Sequence, residues 1–142
     1  EKSLGAIVKS GTKAIEGVLE YTEVPSGPGL WIKDTPGREI EVLTAMSIAG
    51  AQAMLFSTGR GAPQGFPIAP VLKICGNPIT YENMRGDMDV NAGLIIAGEK
   101  SIEELGEETL AHLLRVMSGE VTKSEAIRYT TSMDIYTLGP VI

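Results

Sequence analysis

Three short apolar runs, each followed by a polar loop rich in glycine and proline, constrain the fold of this 142-residue chain more than any other feature. The runs are Leu30–Lys33, Ala53–Ser57 and Pro70–Cys75. Apolar runs of this length, bounded by turn residues, are typical of buried strands. In an open α/β sheet the loops after such strands form the edge that binds ligands. The sequence therefore predicts a short sheet and places the function in these loops.

Helical patterns separate and follow the predicted strands. Residues Glu39–Gly50 repeat apolar residues with helical spacing and end on a glycine suited to a C-cap, which predicts a crossover helix between the first two strands. Such a strand–helix–strand unit is expected to be parallel and right-handed. Ser101 and Glu104 form a capping-box pattern that begins a long helix ending near Gly119. The inner face of that helix is predicted to hold Ile102, Leu105, Leu110, Leu113, Leu114 and Met117.

Weaker patterns complete the predicted fold. Lys13–Glu20 has apolar residues at helical spacing and is predicted as a helix, as are Pro78–Met84 and a segment from Val90 to Gly98. The strand Leu30–Lys33 is predicted to be buried on both faces. The fold class expected for residues 1–142 is a single α/β domain. Its architecture is predicted to be three-layer and Rossmann-like, with a short, mainly parallel sheet and flanking helices.

Composition excludes several classes of protein. With 43% apolar and 21% charged residues the chain is globular, and its net charge of -6 argues against a nucleic-acid surface. No run approaches the about 18 apolar residues of a membrane helix. The single cysteine, Cys75, fits a reducing compartment, and the cytoplasm is expected. Because the chain begins at Glu1 without a methionine, we expect a processed product or part of a longer protein.

The loop after the second strand holds the first candidate for a site. Arg60 lies between Gly59 and Gly61, just after Thr58. Glycine backbone N–H groups can converge on an anion there while a guanidinium binds its carboxylate through two hydrogen bonds. The alternative is a tight turn that needs glycine, with an arginine that faces water. The Walker and dinucleotide fingerprints are absent.

Two further candidates lie at or near strand ends. Asp34 and Thr35 follow the first strand and would adjoin the Thr58–Arg60 loop if the strands pair, where Asp34 either ligates a cation, orients Arg60 or forms a turn. Lys73 lies within an apolar run, which indicates either an edge strand or a charge turned into a cleft.

Polar residues after the third strand are open to two interpretations. Asp87, Asp89 and Asn91 alternate and carry oxygens that suit a hard cation, but helix capping by Asp89 explains them as well. His112 is the only histidine and is more typical of packing than of catalysis. Cys75 without a partnered histidine is predicted to be a small buried residue. A complete nucleophile–base set is missing, so the chain resembles part of a site.

Several motifs, in order along nearly the whole chain, resemble the C-terminal region of the altronate and galactarate dehydratases. They are Gly11-Thr12, Asp34-Thr35-Pro36-Gly37, Phe56-Ser57-Thr58-Gly59-Arg60-Gly61-Ala62-Pro63-Gln64-Gly65, Lys73-Ile74 with Asn77, Asp87-Met88-Asp89-Val90-Asn91-Ala92-Gly93, and Ser118-Gly119-Glu120-Val121-Thr122-Lys123-Ser124-Glu125. The Thr-Gly-Arg-Gly and Asp-Val-Asn-Ala-Gly blocks together are fairly specific.

The resemblance implies a hydro-lyase that removes water from a sugar acid to give a 2-keto-3-deoxy acid. It implies a divalent metal, iron(II) or manganese, with ligands mostly outside this chain, an N-terminal domain or small subunit as partner, and a homo-oligomer. Sulfolactate sulfo-lyase shares this region, and a non-catalytic ligand-binding or association module is a further alternative.

Roles in this reading follow the chemistry of dehydration, which needs carboxylate binding and charge stabilisation. Arg60 and Lys73 are predicted to be catalytic. The predicted substrate-binding residues are Asp34, Thr35, Thr58, Gly59, Gly61, Asn77, Asp89 and Asn91.

Overall fold

The computed structural model describes the backbone of residues 2–136 and the side chains of that range except those of residues 2, 3, 6 and 7. No helix in this range is long and apolar enough to cross a membrane. The elements, in chain order, are α1 (Lys2–Lys9), β1 (Ile15–Leu19), β2 (Leu30–Lys33), α2 (Glu39–Ile48), β3 (Met54–Thr58), β4 (Val71–Cys75), α3 (Pro78–Asn83), β5 (Val90–Asn91), α4 (Gly93–Ile96), α5 (Ile102–Met117) and α6 (Lys123–Ala126).

The described strands form two separate parallel sheets. One contains β1 and β2, and the other contains β3, β4 and β5 in that order. The prediction of a mixed α/β fold with short parallel strands is confirmed. The prediction that β2, α2 and β3 form one βαβ unit is wrong, because β2 pairs with β1 and β3 pairs with β4. A three-layer Rossmann-like arrangement is not shown.

The segment predicted as a helix from Lys13 to Glu20 is instead the strand β1. The β-branched side chains of Ile15 and Val18 favour an extended backbone, and Gly17 weakens a helix. Gly17 lies opposite Trp31 in the sheet. A Cβ atom at position 17 would be 2.9 Å from the ring atom Cζ3 of Trp31. Pairing with β2 therefore decides the conformation of a segment whose apolar spacing alone indicates a helix.

Strand β4 lies at the centre of the larger sheet and separates two apolar clusters. On one face Val71 packs with Leu43 of α2 and with Phe66 from the loop that joins β3 to β4. On the other face Leu72 packs with the α5 residues Leu105 and Val116. Alternate residues of a strand point to opposite faces of the sheet. Because both faces of β4 are covered, the run Val71–Cys75 is apolar except for Lys73.

Other predicted elements differ in detail. Helix α2 and its closing glycine are confirmed, since Gly50 has φ +87° and donates to the carbonyl of Ser47 at 3.0 Å. Helix α3 and the capping box of α5 are also confirmed. The helix predicted from Val90 is wrong at its start, because Val90 and Asn91 pair with β4 as β5 before α4 begins.

The sequence analysis predicted more burial than the structure shows in β2 and in α5. Strand β2 is not buried on both faces, because Ile32 is 39% exposed. On α5 only Leu105 of the predicted inner face is fully buried, and Leu113 is half-buried. The other four residues of that predicted face are exposed, namely Ile102, Leu110, Leu114 and Met117.

Candidate functional site

The carboxyl ends of β3, β4 and β5 meet at a cleft of about 370 Å³. The three strands are parallel, so the loops that follow them lie at the same edge of the sheet. This strand-end cleft is lined by Lys9, Ser57, Thr58, Gly59, Ile74, Gly76, Asn77 and Ala92. Three of the predicted site residues, Thr58, Gly59 and Asn77, are therefore brought together.

The loop after β3 is closed by the hydroxyl of Thr58. Its Oγ1 accepts hydrogen bonds from the backbone N–H groups of Arg60, at 3.3 Å, and Gly61, at 3.1 Å. The sequence analysis expected backbone N–H groups around Arg60 to converge on an anion. The N–H groups of Arg60 and Gly61 instead donate to Thr58 within the turn. Thr58 consequently acts as the residue that shapes the loop.

Helix α3 fixes the position of this loop. The hydroxyl of Thr80 donates to the carbonyl of Gly59 at 3.1 Å. Gly61 has φ +87°, and a Cβ atom there would lie 2.1 Å from Sδ of Met84. The positive φ favours glycine at position 61, and a larger residue there would also have to displace the Met84 side chain. Between these two anchored glycines the Arg60 side chain is exposed, and it makes no ion pair within residues 2–136.

Asn77 and Lys9 supply polar groups on the other sides of the cleft. Oδ1 of Asn77 accepts from the backbone N–H groups of Ile79 and Thr80 and caps α3. That orientation leaves the side-chain NH₂ group of Asn77 as a donor for the cleft. Lys9, at the last position of α1, was missed by the sequence analysis. The basic residue in the last turn of an amphipathic segment was the available signal.

Lys73 is placed apart from the cleft, with its side chain fully buried in the central strand. The edge-strand interpretation is therefore wrong. Its Nζ forms an ion pair with Oε1 of Glu39 at the start of α2 and lies 4.5 Å from the ring centroid of Phe56. Burial lowers the pKa of Lys73, against the opposite pull of Glu39 and Asp89. Its ammonium group does not line the cleft that contains Thr58 and Asn77.

Both oxygens of Asp89 are occupied by backbone groups of two different elements. Oδ2 accepts from the N–H of Lys73 in β4 at 2.7 Å, and Oδ1 accepts from the N–H of Lys123 in α6 at 2.9 Å. The capping interpretation is wrong for the helix predicted from Val90, because Asp89 precedes the strand β5. Its Oδ1 instead accepts from the first N–H of α6, the helix whose N-cap is Thr122. Asp89 is therefore a structural link between β4 and α6.

A second cavity, of about 430 Å³, contains Asp89, Asn91, Tyr81 and His112 among its lining residues. Oδ1 of Asn91 accepts from the backbone N–H of Gly93 at 3.0 Å. Nε2 of His112 lies 3.3 Å from Oε1 of Glu120. These contacts fit the structural interpretation of His112.

Asp34 and Thr35 belong to a third cavity, at the end of the β1–β2 sheet. This cavity, of about 160 Å³, also contains Tyr21 and Tyr136 in its wall. Because β2 does not pair with β3, the expected contact of Asp34 with the Thr58–Arg60 loop does not follow. The structure thus separates two groups of residues that the sequence analysis placed in one site.

The described residues do not fit a divalent metal by themselves. Within residues 2–136 no three side chains of histidine, cysteine, aspartate or glutamate are grouped as a metal site requires. The buried carboxylate of Glu41 pairs with Arg38, and the half-buried carboxylate of Asp89 accepts from backbone N–H groups. Cys75, as predicted, is buried, and its Sγ donates to the carbonyl of Asn77 at 3.4 Å.

Comparison with known proteins identifies the origin of these motifs. A family model described as D-galactarate/altronate dehydratase, C-terminal, matches residues 1–140. The chain is 39% identical over 128 residues to (2R)-sulfolactate sulfo-lyase subunit beta of Chromohalobacter salexigens, covering 89% of this chain and 33% of that protein.

Two dehydratases are similar to nearly the same extent. Galactarate dehydratase (L-threo-forming) of Escherichia coli is 38% identical over 120 residues, covering 84% of this chain and 23% of its own length. Altronate dehydratase of Bacillus subtilis is 34% identical over 125 residues, with 88% and 25% covered. The chain therefore spans between about a quarter and a third of these relatives. On the match of residues 1–140, the chain belongs to the family of D-galactarate/altronate dehydratase C-terminal domains.

Proposed function

We propose that this chain is the C-terminal domain of a lyase that acts on a hydroxy acid, and that its strand-end cleft binds the substrate carboxylate. The favoured reaction is the dehydration of a sugar acid of the altronate or galactarate type to a 2-keto-3-deoxy acid. The observation that carries the proposal is that Arg60, which is exposed, directly follows Gly59 in the lining of a cleft at three parallel strand ends.

The charges and donors of the described cleft suit a carboxylate. Lys9 supplies a cation, Ser57 a hydroxyl and Asn77 an amide NH₂ group, and no acidic side chain is among the described residues of the lining. Arg60 follows Gly59 directly and has no competing carboxylate partner within residues 2–136. A guanidinium in this setting can bind both oxygens of a carboxylate in a planar pair.

Elimination from a hydroxy acid begins with removal of the proton on the carbon beside the carboxylate. Negative charge then moves onto the carboxylate oxygens, where a bound guanidinium stabilises it more strongly than in the ground state. In this scheme Arg60 binds and stabilises, Asn77 and Lys9 orient the substrate, and Thr58 holds the loop. Lys73 supports the sheet beneath the loop through its ion pair with Glu39, and its buried position makes direct contact with substrate the weaker assignment.

A second candidate reaction is the elimination of sulfite from sulfolactate. Sulfolactate carries a sulfonate as well as a carboxylate, and the cation of Lys9 suits this second negative charge as it suits the second carboxylate of a hexarate. The relative from Chromohalobacter salexigens is named for this substrate. Both reactions begin with the same proton removal and differ in whether water or sulfite leaves.

The remaining parts of the enzyme belong to the same proposal. We place the ligands of a divalent metal, iron(II) or manganese, mostly outside this chain, because the described residues do not group three suitable side chains. When bound, such a metal would help the hydroxyl group to leave. An N-terminal domain or separate subunit would complete the site, and assembly into a homo-oligomer in the cytoplasm is proposed for the whole enzyme.

The test replaces Arg60. We expect Arg60→Ala to lower kcat/KM of the holoenzyme by about 100-fold or more, since a two-point charged contact is lost. Arg60→Lys should recover part of that loss. Arg85→Ala is the matched control, because the Arg85 guanidinium is also exposed but pairs with Glu82. Formation of keto acid would be followed anaerobically, with added iron(II) or manganese, on hexonates, hexarates and sulfolactate.

Each outcome decides between the candidates. Turnover of a hexonate or hexarate supports dehydration, whereas release of sulfite from sulfolactate supports the second candidate. If Arg60→Ala changes turnover by less than about twofold, the assignment of Arg60 is wrong. If the holoenzyme turns over none of the substrates but binds one of them by calorimetry, the chain is a non-catalytic binding module.

A further inference from the structure

Helix α5 carries a continuous exposed apolar face that the fold of the described residues leaves uncovered. The face contains Ile102, Leu110, Leu114 and Met117, which are between 55% and 69% exposed. We call it the α5 apolar face. Beside it, a groove of about 310 Å³ runs between α5 and the edge strand β3, where Leu55 is 51% exposed. Gly106 and Leu110 line this groove, and the absence of a side chain at position 106 makes room for an inserted residue.

We propose that the α5 apolar face is the surface on which the rest of the enzyme docks, through an apolar helix with lysine or arginine along its edge. The inference rests on the proposed function. It is supported by length, because the relatives are three to four times longer than the region that this chain matches. Leu110, Leu114 and Met117 follow one another by four and three positions, and Ile102 lies eight positions before Leu110, a spacing that suits a helix laid into the groove.

The charge around the face favours such a partner over a second copy of this chain. Glu103 and Glu107 lie seven and three residues before Leu110 and therefore flank it on the same side of α5. Arg115, five residues after Leu110, projects about 140° away around the helix axis, and its Nε donates to Glu120 at 2.7 Å. Two copies of α5 packed through this face would bring acidic edges together with no arginine of α5 to pair with them.

Thiol labelling tests whether the face is covered. Leu110→Cys places a thiol at the centre of the face, and Glu99→Cys places one on an exposed loop as the matched control. The unmodified holoenzyme, in which Cys75 of this chain is fully buried, gives the background. In the folded holoenzyme we expect background-corrected maleimide labelling at position 110 to be at least about tenfold slower than at position 99, because the thiol must wait for local opening.

Labelling rates and cross-linking together separate the possible occupants. Equal rates at positions 110 and 99 would overturn the proposal, since the face would then be open. A disulfide-linked dimer of Leu110→Cys, with protection that increases with protein concentration, would also overturn it and assign the face to a second copy. Slow labelling that does not change with concentration, without a linked dimer, supports docking of the rest of the enzyme.

The acidic edge provides an independent test of the partner's chemistry. In the Leu110→Cys background, the further changes Glu103→Gln and Glu107→Gln should raise the labelling rate at position 110 by roughly twofold to fivefold at low salt, as expected for two lost surface ion pairs. High salt should remove the difference. No change at low salt would contradict a basic partner. Since no labelling experiment requires substrate, these results stay distinct from loss of activity in Arg60→Ala.

Discussion

The two sheets share one local pattern, a short apolar strand that ends in a polar loop, and differ in what covers them. In the larger sheet Val71 and Leu72 are fully buried between α2 on one face and α5 on the other. In the smaller sheet only Leu19 is buried, while Val18 is 65% exposed. The strand-end cleft belongs to the sheet that is covered on both faces.

The loops that follow the strands of the two sheets differ in how many contacts fix them. The Thr58–Gly61 loop is held by its own hydroxyl and by two contacts with α3. Asp34, at the end of β2, is exposed, and its backbone N–H bonds to Leu19 at 2.8 Å. We expect substitutions in the two sheets to differ accordingly.

The largest expected difference concerns the cores of the two sheets. Leu72→Ala should lower the free energy of unfolding by about 3 kcal/mol, because it leaves a cavity in a fully packed site. Val18→Ala, the matched change in the smaller sheet, should lower it by about 0.5 kcal/mol or less. Urea denaturation of the full chain measures both. Similar losses for the two variants would mean that the smaller sheet is covered as well.

A smaller difference is expected for two aspartates that follow or precede strands. Asp89→Asn should lower the free energy of unfolding by about 2 kcal/mol, because an amide can accept through only one of its two polar atoms and carries no charge. Asp34→Asn, on an exposed carboxylate, should change it by about 0.5 kcal/mol or less. Thermal unfolding at neutral pH gives the comparison. A neutral result for Asp89→Asn would show that the link between β4 and α6 contributes little.

The third prediction concerns the hydrogen bond that links the smaller sheet to α2, which should stabilise the fold by about as much as one neutral hydrogen bond does. The hydroxyl of Tyr21 donates to the carbonyl of Glu41 at 2.8 Å and so ties the end of β1 to α2. Tyr21→Phe should lower the free energy of unfolding by about 1 kcal/mol. Tyr81→Phe is the control, because within residues 2–136 its hydroxyl makes no hydrogen bond. An equal loss in both variants would contradict this role of Tyr21.

The smallest expected effect is a pH dependence from the buried lysine. Burial lowers the pKa of Lys73 below its usual value of 10.5, so the unfolded chain holds that proton more tightly than the folded chain does. Between the lowered pKa and 10.5 the unfolded state binds more protons, and the free energy of unfolding rises with pH.

Replacing Lys73 should reduce the dependence of the free energy of unfolding on pH. Lys73→Met removes the titrating group, so its free energy of unfolding should rise less with pH, below pH 10.5, than that of the unmodified chain. Lys33→Met is the comparison in the smaller sheet, where burial also lowers the lysine pKa. Parallel pH profiles for Lys73→Met and the unmodified chain would mean that Lys73 keeps its ordinary pKa in the fold.

Local sequence was sufficient where a segment carries an unambiguous pattern. The capping box of Ser101 and Glu104 and the glycine that ends α2 were predicted, and so were β3 and β4, which are apolar runs bounded by turn residues. Prediction failed for β1, whose apolar residues have helical spacing, and for β5, which is only two residues long. For α5 the helix was predicted correctly and the burial of its apolar face was not. Helical spacing identifies an apolar face and does not say whether anything covers it.

The sequence by itself determined the family, the parallel strand type and the loop that holds Arg60, since these depend on motifs and on neighbouring residues. Tertiary structure decided which candidates share a site. It joined Lys9 to Thr58 and Asn77, placed Lys73 in a buried ion pair and put Asp34 in another sheet. The physical reason is that strand pairing and burial act between residues far apart in the chain, and these contacts leave no mark in local spacing.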